Sequence, residues 1–385
     1  MVGTPVTEVK GFSMRRMVLV LLVVTVGGFG CAVRGPAERA GGIDPDIAAP
    51  SLADCEPVFH FPPADQGETS VCWSYSTVSF LESEASRLGL PEVKMAVMYV
   101  VYHAYVEEAR YFVQQKGEAQ FTPGDLFGTV LEVVQKHGIV PERVYPARAG
   151  GAGKPNHKEL YRELLACIAQ VKKDALWDEA QVVAKVRSIL DKHLGAPPEK
   201  FVYEGRLYTP RSFQQAFMGL PWEDYLYITS FQYAPFGSHT DLRVPDYWPA
   251  NSRYYNVPLE AFYQGLKVAV QGGYSVAIDG DISEPGRLGE RDIAVIPAYD
   301  IPSASITQEA REYRFDRKIT TDDHLMHVVG MTRTGGHDWF LVKDSWRDAW
   351  KGDRKGYFLY RDDFVKLKVL AYLVHKDAMP DLGID

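Results

Sequence analysis

The stretch Asp65-Gln66-Gly67-Glu68-Thr69-Ser70-Val71-Cys72-Trp73-Ser74-Tyr75-Ser76 decides how the rest of the chain is read. Cys72 follows Gln66 by six residues, an interval that fits a sulfur nucleophile with an oxyanion donor on the loop before it. After Cys72, the apolar residues Trp73, Val78, Phe80, Leu81, Ala85 and Leu88 recur with helical spacing up to Gly89. The thiol is therefore expected at a helix N-terminus, where unpaired amides and the macrodipole favour the thiolate that nucleophilic attack requires. Gln66 is expected to aim its amide N–H at the oxygen that becomes negative during attack, beside the backbone N–H of Cys72. For an arbitrary cysteine a buried structural role is the commoner outcome. The flanking residues weigh against it here.

A second half of the pattern lies far downstream, in Thr321-Asp322-Asp323-His324-Leu325-Met326-His327-Val328-Val329-Gly330-Met331 and Phe340-Leu341-Val342-Lys343-Asp344-Ser345-Trp346. Together with Gln-x5-Cys-Trp-Ser-Tyr-Ser, these segments resemble the active-site segments of the papain superfamily. There a His opens a strand that reaches a Gly six residues later, as His324 and Gly330 do, and an Asn-Ser-Trp on the next strand orients the imidazole. His-Leu-Met is similar to the His-Ala-Met of the bleomycin hydrolase and aminopeptidase C branch. Residues 97–111 resemble that branch's second long helix, 138–146 the connection after its third, and 254–259 and 272–281 the segments leading into and forming a central strand. The resemblance runs from about Pro57 to the C-terminus.

It implies an α+β, papain-like two-lobed fold: a helical half with the nucleophile helix packed against an antiparallel sheet half, with a helical insertion. It also implies a cysteine-type peptidase acting through a thiolate and an acyl-enzyme. In that branch the chain's own C-terminus lies in the cleft and restricts cleavage to N-terminal residues; the tail 376–385 is long enough for such a role. Peptide is the implied substrate, Trp346 the implied cover of the orienting residue, and no cofactor or metal is indicated.

His324 and His327 compete for the role of base. Side chains alternate along a strand, so the two histidines face opposite ways and one alone faces Cys72. The interval to Gly330 selects His324 and makes His327 a packed or hydrogen-bonded residue. Asp344 departs from the resemblance, which has Asn at that place. A carboxylate accepts the same imidazole N–H but adds a charge that stabilises imidazolium. Arg347, two residues beyond Ser345, is the cation expected to offset that charge. Asp344 also permits the alternative of acyl transfer to an amine, as in a transglutaminase-like enzyme. A catalytically silent peptide-binding protein of the same fold is the alternative from another class.

The chain has 385 residues, 46% hydrophobic and 12% aromatic, enough for an ample globular core. A net charge of −8 gives no general pull toward nucleic acid or anionic membrane. Arg15-Arg16, an apolar run over 17–26 and the small residues ending at Gly30-Cys31 read as a signal peptide over 1–31, with Cys31 as a lipidated cysteine of bacterial lipoprotein type. That makes the protein exported and tethered to a membrane through Cys31, in the periplasm or at the cell surface. Residues 32–55 read as a flexible linker and 56–385 as the peptidase domain. Cys55 and Cys167 remain; a disulfide is open to them in an exported protein, while the apolar context of Cys167 reads as a buried helix position.

Helical patterns are expected over 72–89, 93–116, 123–137 and 158–193, the last being the insertion. Strand patterns follow over 225–231, 274–279, 324–331, 339–344, 356–360 and 369–374. The aromatic-rich stretch 230–255 reads as an ordered loop over the sheet, a candidate wall of the cleft.

Overall fold

The helical spacing that starts at Cys72 becomes helix α1 (Cys72–Arg87), which ends just before Gly89 turns at φ +76°. The computed structural model describes residues 47–146, 155–246, 248, 253–283 and 285–379. The signal peptide and Cys31 lie outside the described residues. The next two expected helices form as α2 (Val97–Gln114) and α3 (Phe127–His137), each starting four residues later than its pattern. Before α2 the chain is tied into other contacts: Met95 N–H donates to Glu82 Oε1 at 2.7 Å and Ala96 N–H to Val140 O at 2.9 Å.

The insertion is two helices, α4 (Lys158–Lys173) and α5 (Glu179–Leu194). They break where Ala175 takes φ +49° and Asp178 caps α5 by accepting from Gln181 N–H. Leu160, Leu164, Val182, Val186 and Leu190 bury their stripes in one core with α1, α2 and α3, while the charged faces stay in solvent.

From Phe201 onward strands and helices alternate. A small hairpin of β1 (Phe201–Tyr203) and β2 (Arg206–Tyr208) precedes helix α6 (Pro210–Phe217). Then come β3 (Tyr225–Thr229), β4 (Ser238–Thr240), β5 (Tyr254–Asn256), helix α7 (Leu259–Gln271) and β6 (Val276–Gly280). They are followed by β7 (Arg287–Leu288), β8 (Ile293–Ala294), helix α8 (Gln308–Asp316), β9 (His324–Thr334) and β10 (His337–Lys343). Last are β11 (Tyr357–Arg361), helix α9 (Asp362–Lys368) and β12 (Val369–His375).

Among the described residues ten of these strands form one sheet, in the order β4-β5-β3-β12-β6-β9-β10-β11-β8-β7. The expected antiparallel half is in fact mixed, because β3 pairs with β5 and β11 with β8 in parallel. Four helices, α6 to α9, lie between the expected strands, where no helix was expected. The stretch 230–255 contains β4 and the start of β5, and its aromatics pack: Phe231 stacks on Phe315 at 4.2 Å and Tyr233 donates to Asp241 O at 2.9 Å.

Two features join the halves. One face of α1 carries serines: Ser76 Oγ donates to Met326 O at 2.7 Å, Ser79 Oγ lies 2.9 Å from His327 Nδ1, and Ser83 Oγ donates to Phe59 O at 2.6 Å. Small side chains let the helix approach β9, and their hydroxyls satisfy groups that apolar residues would strand. Gly330 serves the second feature. A Cβ there would lie 3.0 Å from Glu56 O, so its hydrogen lets the incoming chain cross β9, where Val58 N–H donates to Val329 O at 2.8 Å.

The end of the expected linker is a docked part of the fold. Ile47 and Leu52 pack against a cluster that includes Cys55, Trp339 and Leu359, and Arg354 Nη2 donates to Pro50 O at 3.0 Å. Cys55 and Cys167 are free thiols, and Cys167 is half-buried at the edge of α4 rather than in the core.

Candidate active site

Cys72 is the first residue of α1, so its amide belongs to the group that has no partner within a helix. The side chain is buried at the junction of the halves. Ser70, two residues earlier, takes φ +56°, which turns the loop into the helix.

Gln66 reaches this junction by a different route. Gly67 has φ +60°, and a Cβ on it would come 2.1 Å from Pro155 O, so glycine alone fits the turn after Gln66. Gln66 N–H donates to Ser345 O at 2.8 Å, and Ser345 Oγ donates to Gln66 Oε1 at 2.7 Å. With its oxygen held, the amide of Gln66 presents its N–H groups as the available end.

His324 opens β9, and Asp344 follows the last residue of β10. His324 Nε2 and Asp344 Oδ1 are 3.1 Å apart, and Cys72 is a second hydrogen-bond partner of the ring. Burial works to lower the His324 pKa, but the Asp344 carboxylate first and Cys72 second outweigh it and hold it up at about 10. Asp344 is in turn held below the usual carboxylate range: burial opposes, but His324, Arg287 and the Trp346 N–H favour the charge. The four expected residues Gln66, Cys72, His324 and Asp344 thus converge, two from each half.

His327 faces the nucleophile helix but not the nucleophile. Ser79 Oγ accepts from Lys343 Nζ at 2.7 Å and lies 2.9 Å from His327 Nδ1. His327 Nε2 is buried without a hydrogen-bond partner among the described residues. Burial, Lys343 and His60 keep this imidazole well below the usual histidine range, hence neutral. A cavity of about 210 Å³ beside it is lined by Ser76, Ser79, Glu82 and Lys343 and reaches Asp344 and Ser345, though not Gln66, Cys72 or His324.

The expected cation is corrected. Arg347 is exposed in a short turn, Arg347–Ala349. The cation on Asp344 is Arg287, whose Nη2 engages Asp344 Oδ2 from strand β7. Trp346 is half-buried, with its ring 5.9 Å from the Arg287 guanidinium, so it covers the ion pair. Sequence reasoning missed Arg287 because it stands 57 residues before Asp344 in a turn-rich segment. The one signal for it was Asp344 itself, a buried charge that demands an opposite charge somewhere in the fold. The part of Ser345 in holding Gln66 was also missed.

A thiol at a helix start, an imidazole held between it and a carboxylate, and an amide donor on the preceding loop define, on this two-lobed α+β fold, a cysteine peptidase of the papain superfamily. Residues 118–384 match the model of the Peptidase C1-like family, and the chain belongs to that family. The matched span takes in His324 and Asp344, with Gln66 and Cys72 N-terminal to it. The chain is 23% identical to aminopeptidase C of Streptococcus thermophilus over 363 residues, 82% of this chain and 80% of that protein. It is 22% identical to aminopeptidase C of Listeria monocytogenes over 378 residues, 85% and 84% of the two chains. Among solved structures, PepW from Lactobacillus rhamnosis HN001 superposes with a TM-score of 0.65 at 19% identity, covering 85% of this chain and 82% of its own. These relatives place the chain in the aminopeptidase C branch.

Proposed function

We propose that Cys72, His324, Asp344 and Gln66 carry the peptide hydrolysis of this peptidase, and that it removes residues from free N-termini. The observation that carries the reading is the imidazole of His324, hydrogen-bonded to Asp344 through Nε2 with Cys72 as its second partner, a setting in which the Asp344 charge favours the protonated ring. In that state the Cys72 thiolate attacks the scissile carbonyl carbon. The carbonyl oxygen accepts from the Gln66 amide and the Cys72 N–H as it becomes negative. His324 gives its proton to the leaving amine, and the acyl-enzyme remains. Water then attacks with His324 as base, releasing the carboxylate product and restoring the thiol. The N-terminal preference is supported by the names of the relatives.

The test compares an aminoacyl fluorogenic substrate with its N-acetylated form, in the wild type and in Cys72→Ala. Hydrolysis of the free-amine form that vanishes in Cys72→Ala, together with covalent capture of Cys72 by an epoxide thiol-protease inhibitor, is the expected result. Equal turnover in the alanine variant would remove Cys72 from the mechanism. Preference for the acetylated substrate would remove the aminopeptidase reading alone.

A further inference from the structure

Asp344 is gripped from both sides. One oxygen accepts from His324 Nε2 and from the Trp346 N–H; the other is engaged by Arg287 Nη2. The ion pair is sealed, with 7% of the Arg287 side chain and 0% of the Asp344 side chain exposed. Arg287 is built into this position. Gly286 before it has φ +114°, and a Cβ there would lie 2.0 Å from Val295 O, so the turn into β7 needs glycine. The guanidinium then lies over the Phe358 ring at 4.1 Å, which fixes its plane.

The charges alternate along one line. In the reactive state Cys72 is negative, His324 positive, Asp344 negative and Arg287 positive, so the buried set is neutral as a whole. Without Arg287 the same site would hold a net negative charge away from water, and Asp344 Oδ2 would lose the guanidinium that engages it. Asp344 would then be held through Oδ1 alone, and a carboxylate pivoting about that oxygen would aim His324 less narrowly.

We propose that Arg287 is a positioning residue for catalysis, holding the Asp344 carboxylate in the one orientation that aims His324 at Cys72 and balancing its charge, so that Arg287 and Asp344 act as a unit. The proposal rests on the peptidase reading of Cys72 and His324. Arg287 acts through Asp344 and touches no substrate atom. Its loss therefore falls on kcat and leaves KM nearly unchanged.

The test is a double-mutant cycle on the full chain with Arg287→Met, Asp344→Asn and the pair of them. Arg287→Met should lower kcat/KM by roughly ten- to a hundredfold, the scale seen when an outer partner of a functional side chain is lost. The double variant should recover part of that loss, because a neutral amide needs no guanidinium. A double variant no better than the product of the two single losses would overturn the proposal.

A second readout needs no substrate: the pH dependence of Cys72 alkylation by iodoacetate, an anion that the imidazolium of His324 draws to the thiolate, so that the rate falls as His324 loses its proton. The charged and titratable groups facing this site are Cys72 on α1, His324 on β9, Tyr360 on β11, Asp279 on β6 and Asp322 on the loop before β9. All are common to the variants. Removing the Arg287 cation leaves the Asp344 charge unopposed, so the imidazolium persists longer and the upper limb moves to higher pH. Removing the Asp344 charge leaves the Arg287 cation unopposed, and the limb moves down. The double variant should lie between. An upper limb for Arg287→Met that coincides with the wild type would overturn the proposal. If Arg287→Met does not fold, Arg287→Lys carries the same test: it keeps the charge without the planar fork, so a lowered kcat at unchanged KM is expected and a wild-type kcat would overturn it. If the wild type cuts no peptide while its alkylation limb shifts as described, the positioning role stands and the substrate assignment falls.

Discussion

Gln66 is available as a donor because its acceptor end is occupied by Ser345. Gln66→Ala should therefore keep the fold and lose on the order of 10²–10³ in kcat, as for other single oxyanion donors; an unchanged kcat would show that the amide is not aimed at the oxyanion. The two histidines give a second contrast. His324→Ala should abolish turnover, whereas His327→Ala should lower Tm with kcat/KM largely kept, because the neutral imidazole touches Ser79 and not Cys72. Loss of activity in His327→Ala with an unchanged Tm would reverse these assignments. Spacing and resemblance named Gln66, Cys72, His324 and Asp344, and these are the residues that the fold brings together. Arg287 was not legible, since nothing local marks a residue whose partner is distant in the chain, and the sequence neighbour Arg347 drew the attention instead.

At the scale of elements, periodicity located α1, α2, α3 and the central strands to within a few residues. It failed for α6 to α9. In α7 the apolar residues Leu259, Phe262, Tyr263, Leu266 and Val270 do recur with helical spacing, but neighbouring aromatics and β-branched residues read equally as strand. The serines of α1 were also opaque, because polar residues on a buried face look like a solvated face until β9 is seen against them. Gly67 gives the sharpest prediction here. Gly67→Ala forces a left-handed residue, at a cost of about 1 kcal/mol or more, and drives a methyl into Pro155 O. The loop should move and take Gln66 with it, so kcat should fall together with Tm. A folded variant with the wild-type kcat would show that Gln66 is held independently of this turn.

At the scale of the whole molecule, the described chain ends at Met379, and residues 380–385 of the tail lie outside the described residues. β12 starts opposite Gly280, which pairs with His324, and runs away to His375 opposite Tyr225. That is roughly 20 Å of strand at about 3.3 Å per residue. Beyond it Met379 is buried against α7 and Tyr372 in the core of the sheet half. The described chain therefore ends on the far side of the sheet from the nucleophile. Deleting residues 380–385 should leave the ratio of free to N-acetylated substrate cleavage unchanged, and a gain of cleavage on the acetylated substrate would restore the tail as the restraint. Resemblance made the fold legible, and the reach of the last six residues is left to this measurement.

The position of β12 has a further effect on when the molecule becomes able to cut. It lies between β3 and β6, so the outer strands β3, β5 and β4 reach the strand of His324 only through it. A polypeptide emerging from the ribosome delivers Cys72 early and His324 late, and the strand that closes the middle of the sheet after both. During synthesis the wall opposite the thiol lacks its central support. Closure of the sheet beside His324 thus waits for the last strand among the described residues.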